Sequence, residues 1–401
     1  MKPHLLIILN RLVVGGQSID TVPLSNQLKG EYKILIVYGE KENDEEEFIK
    51  ILENTEGISF QKISSLKRNV NLVNDFKAIH SLYKIIKKFK PVIVHTHGSK
   101  PGASGRIAAW LANVPAVIHT FHGHLFHSYY NRTISFFIIQ LEKFLSRLST
   151  SIIVLSKRQQ EEICDRYKIA KKEKIKLIPL GVDDTYYNYN ALQLRNAFRN
   201  DYHLSENCVA VGIIGRIVPV KNHRLFVDVI IQLLQSTVKG NVKFFFIGDG
   251  YSKHDLQNIL SQERIEWSED KNSCKAKVIF TSWVTPVTSA LHGLDIVALT
   301  SLNEGTPMSL IEAQICGKPV VATDAGGVAD TFINNESGFL ISDHDANEFA
   351  GKLSMLIQSK ELRITMGEKG RCFAKEKFSK EAEVNAFRKL YAECVAAATN
   401  Q

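Results

Sequence analysis

The run Val209-Ala-Val-Gly-Ile-Ile214-Gly215-Arg216-Ile-Val-Pro-Val-Lys221-Asn222, followed by Leu225–Leu234 and then by Val242–Ile247, decides the fold. Val209–Ile214 is a short apolar run rich in branched side chains and closed by a glycine, the pattern of a strand buried on both faces. Leu225–Leu234 has helical apolar spacing, and a second strand-like run follows it. Strand, loop, helix and strand in that order form the unit of a parallel sheet. Further strands are expected at Lys277–Phe280, Ile296–Leu299 and Pro319–Ala322, with helices at Pro307–Cys316 and Ala346–Gln358. The first half has the same plan. Leu5–Leu9, Lys33–Tyr38, Val92–His95, Ala116–His119 and Ile152–Leu155 read as strands, and Leu72–Phe89 and Thr133–Leu148 as helices. Two successive sets predict an α/β protein of two doubly wound, Rossmann-like domains. The boundary falls between Gly181 and Cys208, where Asp183–Asn190 is polar and aromatic and Arg199-Asn-Asp201 reads as a turn. Ser379–Ala398 reads as one closing amphipathic helix, with Phe387, Leu390, Tyr391 and Cys394 on one stripe.

At 401 residues, 44% apolar and 23% charged, the chain is globular and has room for two domains. It opens directly on a strand, lacks the layout of a secretory signal, and has no run of the ~20 apolar residues that span a bilayer. A cytoplasmic protein is expected, either free or peripheral on the inner face of the membrane. The six cysteines are scattered without a C-x-x-C pair, which argues against structural zinc and a disulfide framework and for mostly buried thiols. Fifty basic against 42 acidic residues give a formal charge of +8, which suits anionic ligands or an anionic membrane surface. Nucleic acid is not expected, because no zinc finger, RNA-recognition signature or basic-region helix is present.

In open parallel sheets ligands bind beyond the carboxyl ends of the strands, so each strand-to-helix loop is a candidate site. Gly215-Arg216 and Lys221 follow a strand directly and suit a diphosphate through charge-assisted hydrogen bonds. Glu304-Gly305-Thr306-Pro307-Met308-Ser309-Leu-Ile-Glu312 follows another, with Thr306 expected as helix N-cap and Pro307 as the first helical residue. Carboxylates beside a helix N-terminus match a ligand that has both phosphates and hydroxyls, such as a nucleotide sugar. The ordinary alternative is a loop glutamate and a surface helical glutamate. Gly326 and Gly327 are expected to line the same cleft, while Gly248-Asp249-Gly250 reads as a structural turn. Gly15-Gly16-Gln17 after the opening strand permits close backbone approach to a ligand.

A histidine cluster, His95, His97, His119, His122, His124 and His127, gathers where two strands end. No carboxylate accompanies it in sequence, so no metal is expected; His122, before Gly123, is the best candidate for an active-site polar group. Thr133–Leu148 carries Phe136, Phe137, Leu141, Phe144, Leu145 and Leu148 at helical spacing, with Lys143 and Arg147 between them. Such a stripe reads as core, or as a face laid on a membrane.

With these residues in view, the chain resembles the family 4 retaining glycosyltransferases of the GT-B fold, in the branch that assembles bacterial capsule, O-antigen and exopolysaccharide. The resemblance rests on Gly15-Gly16, Val94-His-Thr-His97, Gly105-Arg106, His119-Thr-Phe-His122-Gly123, Ile178-Pro-Leu-Gly181-Val-Asp183, Gly215-Arg216, Lys221, Glu304 and Glu312. It departs at Leu180, where many members have Asn. It implies an acceptor-side domain at 1–183 and a nucleotide-sugar domain at 184–378, their sheets facing across a cleft. The segment 379–401 would cross back to the first domain. It further implies sugar transfer from a nucleoside diphosphate sugar, with UDP the expected nucleotide, to a glycan or lipid-linked glycan, without metal or other cofactor. By resemblance Arg216 and Lys221 hold the diphosphate, Glu304 the sugar and Glu312 the ribose, while Gly16 offers its N–H to phosphate and His122 serves the sugar and acceptor side. Gly15, Gly215 and Gly305–Ser309 complete the donor site. The alternatives are a non-hydrolysing UDP-sugar 2-epimerase and a catalytically silent nucleotide-sugar-binding partner.

Overall fold

The computed structural model describes residues 2–13, 16–41, 55–67, 71–123, 132–236 and 241–399. It divides into two compact units, Met1–Gly181 with Lys380–Gln401, and Val182–Ser379. The first unit runs β1 (His4–Leu9), α1 (Gly16–Leu28), β2 (Lys33–Tyr38), β3 (Ile58–Lys62), α2 (Leu72–Phe89), β4 (Ile93–His97), α3 (Ser99–Leu111), β5 (Ala116–Thr120), α4 (Arg132–Arg147), β6 (Ser151–Val154), α5 (Lys157–Glu161) and β7 (Ile175–Leu177). The second runs α6 (Asp184–Asn188), α7 (Ala191–Asp201), β8 (Val209–Ile214), α8 (His223–Gln235), β9 (Val242–Ile247), α9 (Lys253–Gln262), β10 (Trp267–Ser268), β11 (Val278–Ser282), α10 (Val287–Gly293), β12 (Ile296–Leu299), α11 (Met308–Ile315), β13 (Val320–Thr323), β14 (Gly338–Ile341), α12 (Ala346–Gln358) and α13 (Lys360–Lys377). The last helix, α14 (Lys380–Thr399), belongs to the first unit.

Each unit holds one seven-stranded sheet, ordered β3-β2-β1-β4-β5-β6-β7 and β10-β11-β9-β8-β12-β13-β14. Every pairing is parallel. Helices cover both faces of such a sheet, which is why its inner strands are apolar on both sides: β8 and β9 are buried at every residue. The helices form for local reasons as well. Asn71 caps α2 by accepting the Asn74 N–H at 3.1 Å, and Lys90 ends it in the left-handed region. Ala78, Leu82 and Ile86, four residues apart, give α2 its buried stripe. The α14 stripe expected from sequence is buried at Phe387, Leu390, Tyr391 and Cys394.

Several expectations need correction. Arg199–Asp201 is not a turn but the end of α7, where Arg199 and Arg195 grip Asp295 at 3.1 and 2.8 Å. Only Cys208, Cys316 and Cys394 are buried, whereas Cys274 and Cys372 are exposed; all six are free thiols. The aromatic stripe of α4 is not core. Ile134, Phe136, Phe137, Leu141 and Phe144 are exposed; of the expected stripe only Leu145 is buried, beside Ser135, Glu142 and Ser146. The inverted face has a cause in Arg106, a fully buried guanidinium on α3 that binds both Glu142 oxygens at 3.1 and 2.8 Å. No described helix is long and apolar enough to cross a membrane.

Candidate functional site: a carboxylate–lysine pair at a switch point

In the second unit the chain leaves β8 toward β9 in one direction and later passes to β12 on the other side. The loops after β8 and β12 therefore diverge and open a crevice at the carboxyl edge, where such sheets bind ligands. The loop after β8 begins at Gly215, whose φ of 147° lies outside the range open to other side chains. The Ile217 N–H donates to the Asp249 carbonyl at 2.9 Å, and a Cβ on Gly248 would stand 2.1 Å from the Gly215 oxygen. Gly248-Asp249-Gly250 is thus the buttress beneath the loop, the structural role expected of it.

The loop after β12 is stitched to the first. The Leu302 N–H donates to the Val220 carbonyl at 2.8 Å and the Thr300 hydroxyl to the Lys221 carbonyl at 3.1 Å. Across the crevice Lys221 Nζ meets Glu304 Oε1 at 2.5 Å, and the Ser301 hydroxyl donates to the same oxygen at 2.6 Å. Gly326 packs so closely on the Glu304 main chain that a Cβ would lie 1.9 Å from its oxygen, and the Gly327 N–H donates to that oxygen at 3.1 Å. Arg216 is half-buried in the same loop as Lys221. Lys221, Glu304 and the Gly326-Gly327 loop are therefore brought together, as the spacing of strands and loops implied.

The α11 cap is displaced by one residue from the expected position. Pro307, with ψ of 108°, is the cap residue and Met308 the first helical one. The Thr306 side chain makes no cap bond, and its buried hydroxyl has no hydrogen-bond partner. Pro307 has no N–H, and its extended ψ delays the first turn by one residue. The N-terminus of α11 remains a positive end for an anion.

Glu312 is buried rather than at the surface, and its Oε1 accepts the Tyr187 hydroxyl at 2.6 Å. Tyr187 sits on α6, whose N-terminus Asp183 caps through the N–H groups of Thr185 and Tyr186 at 3.0 and 3.3 Å. Burial pushes the Glu312 carboxyl above its usual range, and the Tyr187 hydrogen bond pulls it back. Burial, then the adjacent carboxylate, raises the Tyr187 phenol, so it remains a donor. Tyr187 and Ser301 are the two partners that sequence reasoning missed.

In the first unit the switch point lies between β1 and β4. A Cβ on Gly98, after β4, would stand 2.9 Å from Gln17 Nε2, so the loop after β4 closes on the start of α1 at Gly16. Gly15, His124 and His127 lie outside the described residues. His95, His97 and His119 are buried at the ends of β4 and β5, with His122 just beyond. His95 is paired on both nitrogens, to the Tyr391 hydroxyl at 2.6 Å and the Thr120 hydroxyl at 2.7 Å. His97 Nδ1 is 2.8 Å from His122 Nε2, and His119 Nδ1 is 2.9 Å from the Thr96 hydroxyl. Burial pushes His95 down to about 3 and His122 down to about 4, keeping these rings neutral. Among the described residues no group of three or more His, Cys, Asp or Glu is placed to hold a metal ion.

Two doubly wound parallel sheets, one with an acid–base pair across its switch point, define a nucleotide-binding architecture of the GT-B kind. Known proteins place the chain within that class. Residues 14–186 match the model described as Glycosyltransferase Family 4, and residues 209–359 the model described as Glycosyl transferases group 1. The chain is 32% identical over 302 residues to the Escherichia coli UDP-Gal:alpha-D-GlcNAc-diphosphoundecaprenol alpha-1,3-galactosyltransferase, covering 75% of this chain and 76% of that protein. It is 29% identical over 332 residues to the capsular polysaccharide biosynthesis glycosyltransferase CapM of Staphylococcus aureus, covering 81% and 83%. The fold matches Anabaena HepE in complex with UDP and glucose, with a TM-score of 0.78 at 18% identity over 98% of this chain and all of that one. A Rickettsia africae glycosyltransferase matches with a TM-score of 0.77 at 21% identity over 98% and 99%. The chain belongs to the family 4 glycosyltransferases and is a glycosyltransferase of the GT-B fold.

Proposed function

We propose that the enzyme moves a sugar, with retention of anomeric configuration, from a UDP-linked donor to a glycan or polyprenyl-diphosphate-linked glycan during synthesis of a bacterial surface polysaccharide. The observation that carries this reading is the Lys221–Glu304 pair across the β8/β12 crevice, beside the N-terminus of α11. Lys221, Arg216 and the α11 N–H groups supply positive charge where a leaving diphosphate develops negative charge, so the reaction needs no metal for that purpose. Glu304 then serves sugar hydroxyls and Glu312 the ribose hydroxyls. Gly215 and Gly305–Ser309 form the backbone of the donor site in the second unit, and Gly15, Gly16 and His122 remain the first unit's candidates by resemblance. Without a carboxylate assigned to C1, we favour a front-face route in which the departing phosphate takes the acceptor proton. The names of the Escherichia coli and Staphylococcus aureus relatives support a UDP-sugar donor and a lipid-linked or capsular acceptor. Incubation with a panel of UDP-sugars and undecaprenyl-diphosphate-linked acceptors is expected to yield an α-linked product from an α-donor, at the same rate with EDTA. Activity abolished by EDTA, an inverted product, or a new UDP-sugar formed without acceptor would refute it.

The same proposal places the enzyme on an anionic membrane surface through α4. Phe136, Phe137, Leu141 and Phe144 are about half or more exposed, Trp110 and Leu111 of α3 are exposed as well, and Lys143 and Arg147 share the helix. Exposed aromatic residues flanked by basic ones bind the interface of anionic lipids. In flotation the enzyme is expected to rise with phosphatidylglycerol vesicles at low salt, and the Phe136→Ser/Phe137→Ser variant to stay at the bottom. Equal flotation of the two would remove α4 from the membrane.

A further inference from the structure

Two of the strand-end histidine contacts can be given a proton and a lone pair from the hydrogen bonds around them. The Thr96 hydroxyl donates to the Ile118 carbonyl at 3.2 Å, so it must accept from His119, which carries its proton on Nδ1. The His97–His122 contact is different, because two ring nitrogens 2.8 Å apart share a single hydrogen. The other nitrogen of His97, Nε2, is buried and has no partner. If His122 supplied the shared hydrogen, the orphaned His97 nitrogen would be a buried N–H. If His97 supplies it, the orphan is only a lone pair. Orphaned buried N–H groups are the rarer and costlier case, so the hydrogen belongs to His97 Nδ1. A neutral His122 that accepts on Nε2 must carry its own proton on Nδ1.

We infer that His97 is a positioning residue that fixes His122 in the Nδ1–H tautomer, so that His122 meets the substrate as a hydrogen-bond donor to an oxygen rather than as a base. This rests on the proposed place of His122 at the substrate. Burial, followed by the neighbouring histidines, holds His97 well below its ordinary range, consistent with a neutral pair. His97 is itself held from behind. Its ring lies 4.0 Å from that of His95, which Tyr391 of α14 and Thr120 of β5 fix on both sides.

The test is two-bond 1H–15N correlation of the 15N-histidine-labelled full chain, with His122 assigned by the peaks lost in His122→Asn. The expected result is a protonated Nδ1 and an unprotonated Nε2 on His122. His97→Phe, which removes the donor, should move the His122 proton to Nε2 and lower kcat about 100-fold, the scale of a misoriented reacting group. His97→Asn places an amide N–H near the lost Nδ1 and should restore both the tautomer and most of kcat. An Nε2–H tautomer in the unmodified protein overturns the inference even if the variants do not fold, and so does a tautomer unchanged in His97→Phe. His122→Asn with undiminished kcat would instead sink the placement of His122 at the substrate.

Discussion

Lys221→Ala is expected to lower kcat about 100–1000-fold while raising the donor KM far less, the loss typical of one preorganised donor to a developing oxyanion. The asymmetry follows from where the charge appears. On the proposed donor placement the diphosphate is shared among Lys221, Arg216 and the α11 N–H groups, so one loss is spread. As the bond between sugar and phosphate breaks, charge builds on the leaving oxygen, and that charge has no substitute for a removed cation. Folding is a small part of the effect, because Glu304 keeps the Ser301 hydroxyl at 2.6 Å and its main chain keeps the Gly327 N–H. Steady-state kinetics with a thermal melt distinguish the two. An unchanged kcat with an unchanged UDP affinity would show that Lys221 is only a partner for Glu304.

The 2.5 Å contact also says what the donor must do on arrival. A carboxylate already occupies Lys221, so on the proposed placement a diphosphate would take the ammonium from Glu304. Glu304 would then keep Ser301 on one oxygen and turn the other to a sugar hydroxyl. The two carboxylates of the Glu304–Glu312 stretch are held differently for this reason. Glu304 is held by a lysine that the ligand can take over, whereas Glu312 is held by Tyr187, a neutral donor that stays in place.

The alternation of strands and helices was readable because the inner strands are apolar on both faces. The four strands that went unread, β3, β7, β10 and β14, are the outermost of the two sheets. An edge strand is covered on fewer sides, so Ile58-Ser-Phe-Gln-Lys62 and Ile175-Lys-Leu177 carry polar or exposed residues and show no apolar run. Lys221 and Glu304 were legible because each stands in a loop directly after an inner strand. Tyr187 was not, since its partner Glu312 is 125 residues away and nothing local distinguishes it from a packed aromatic. The α4 stripe misled for a related reason. Hydrophobic periodicity finds the apolar face of a helix, but the partner decides which face turns inward, and here that partner is a buried arginine on another helix.

Glu142→Ala is accordingly expected to destabilise the first unit by about 3–5 kcal/mol, the cost of leaving one charge of a buried pair alone. Arg106 has no exposed surface. Its Nη1 already has no partner, and its Nε donates to the Gly102 carbonyl at 2.8 Å. Little remains to compensate for the lost carboxylate, and the melting transition of this unit should fall by about 10 °C. Glu142→Gln keeps one acceptor and should lose less. The double variant Arg106→Met/Glu142→Leu removes both charges and should regain most of the stability, since apolar replacements of a buried pair are often neutral. Recovery in the double variant would assign the loss to the unpaired charge. A double variant as unstable as Glu142→Ala would assign it to packing between α3 and α4. Thermal melts of the three variants decide between these.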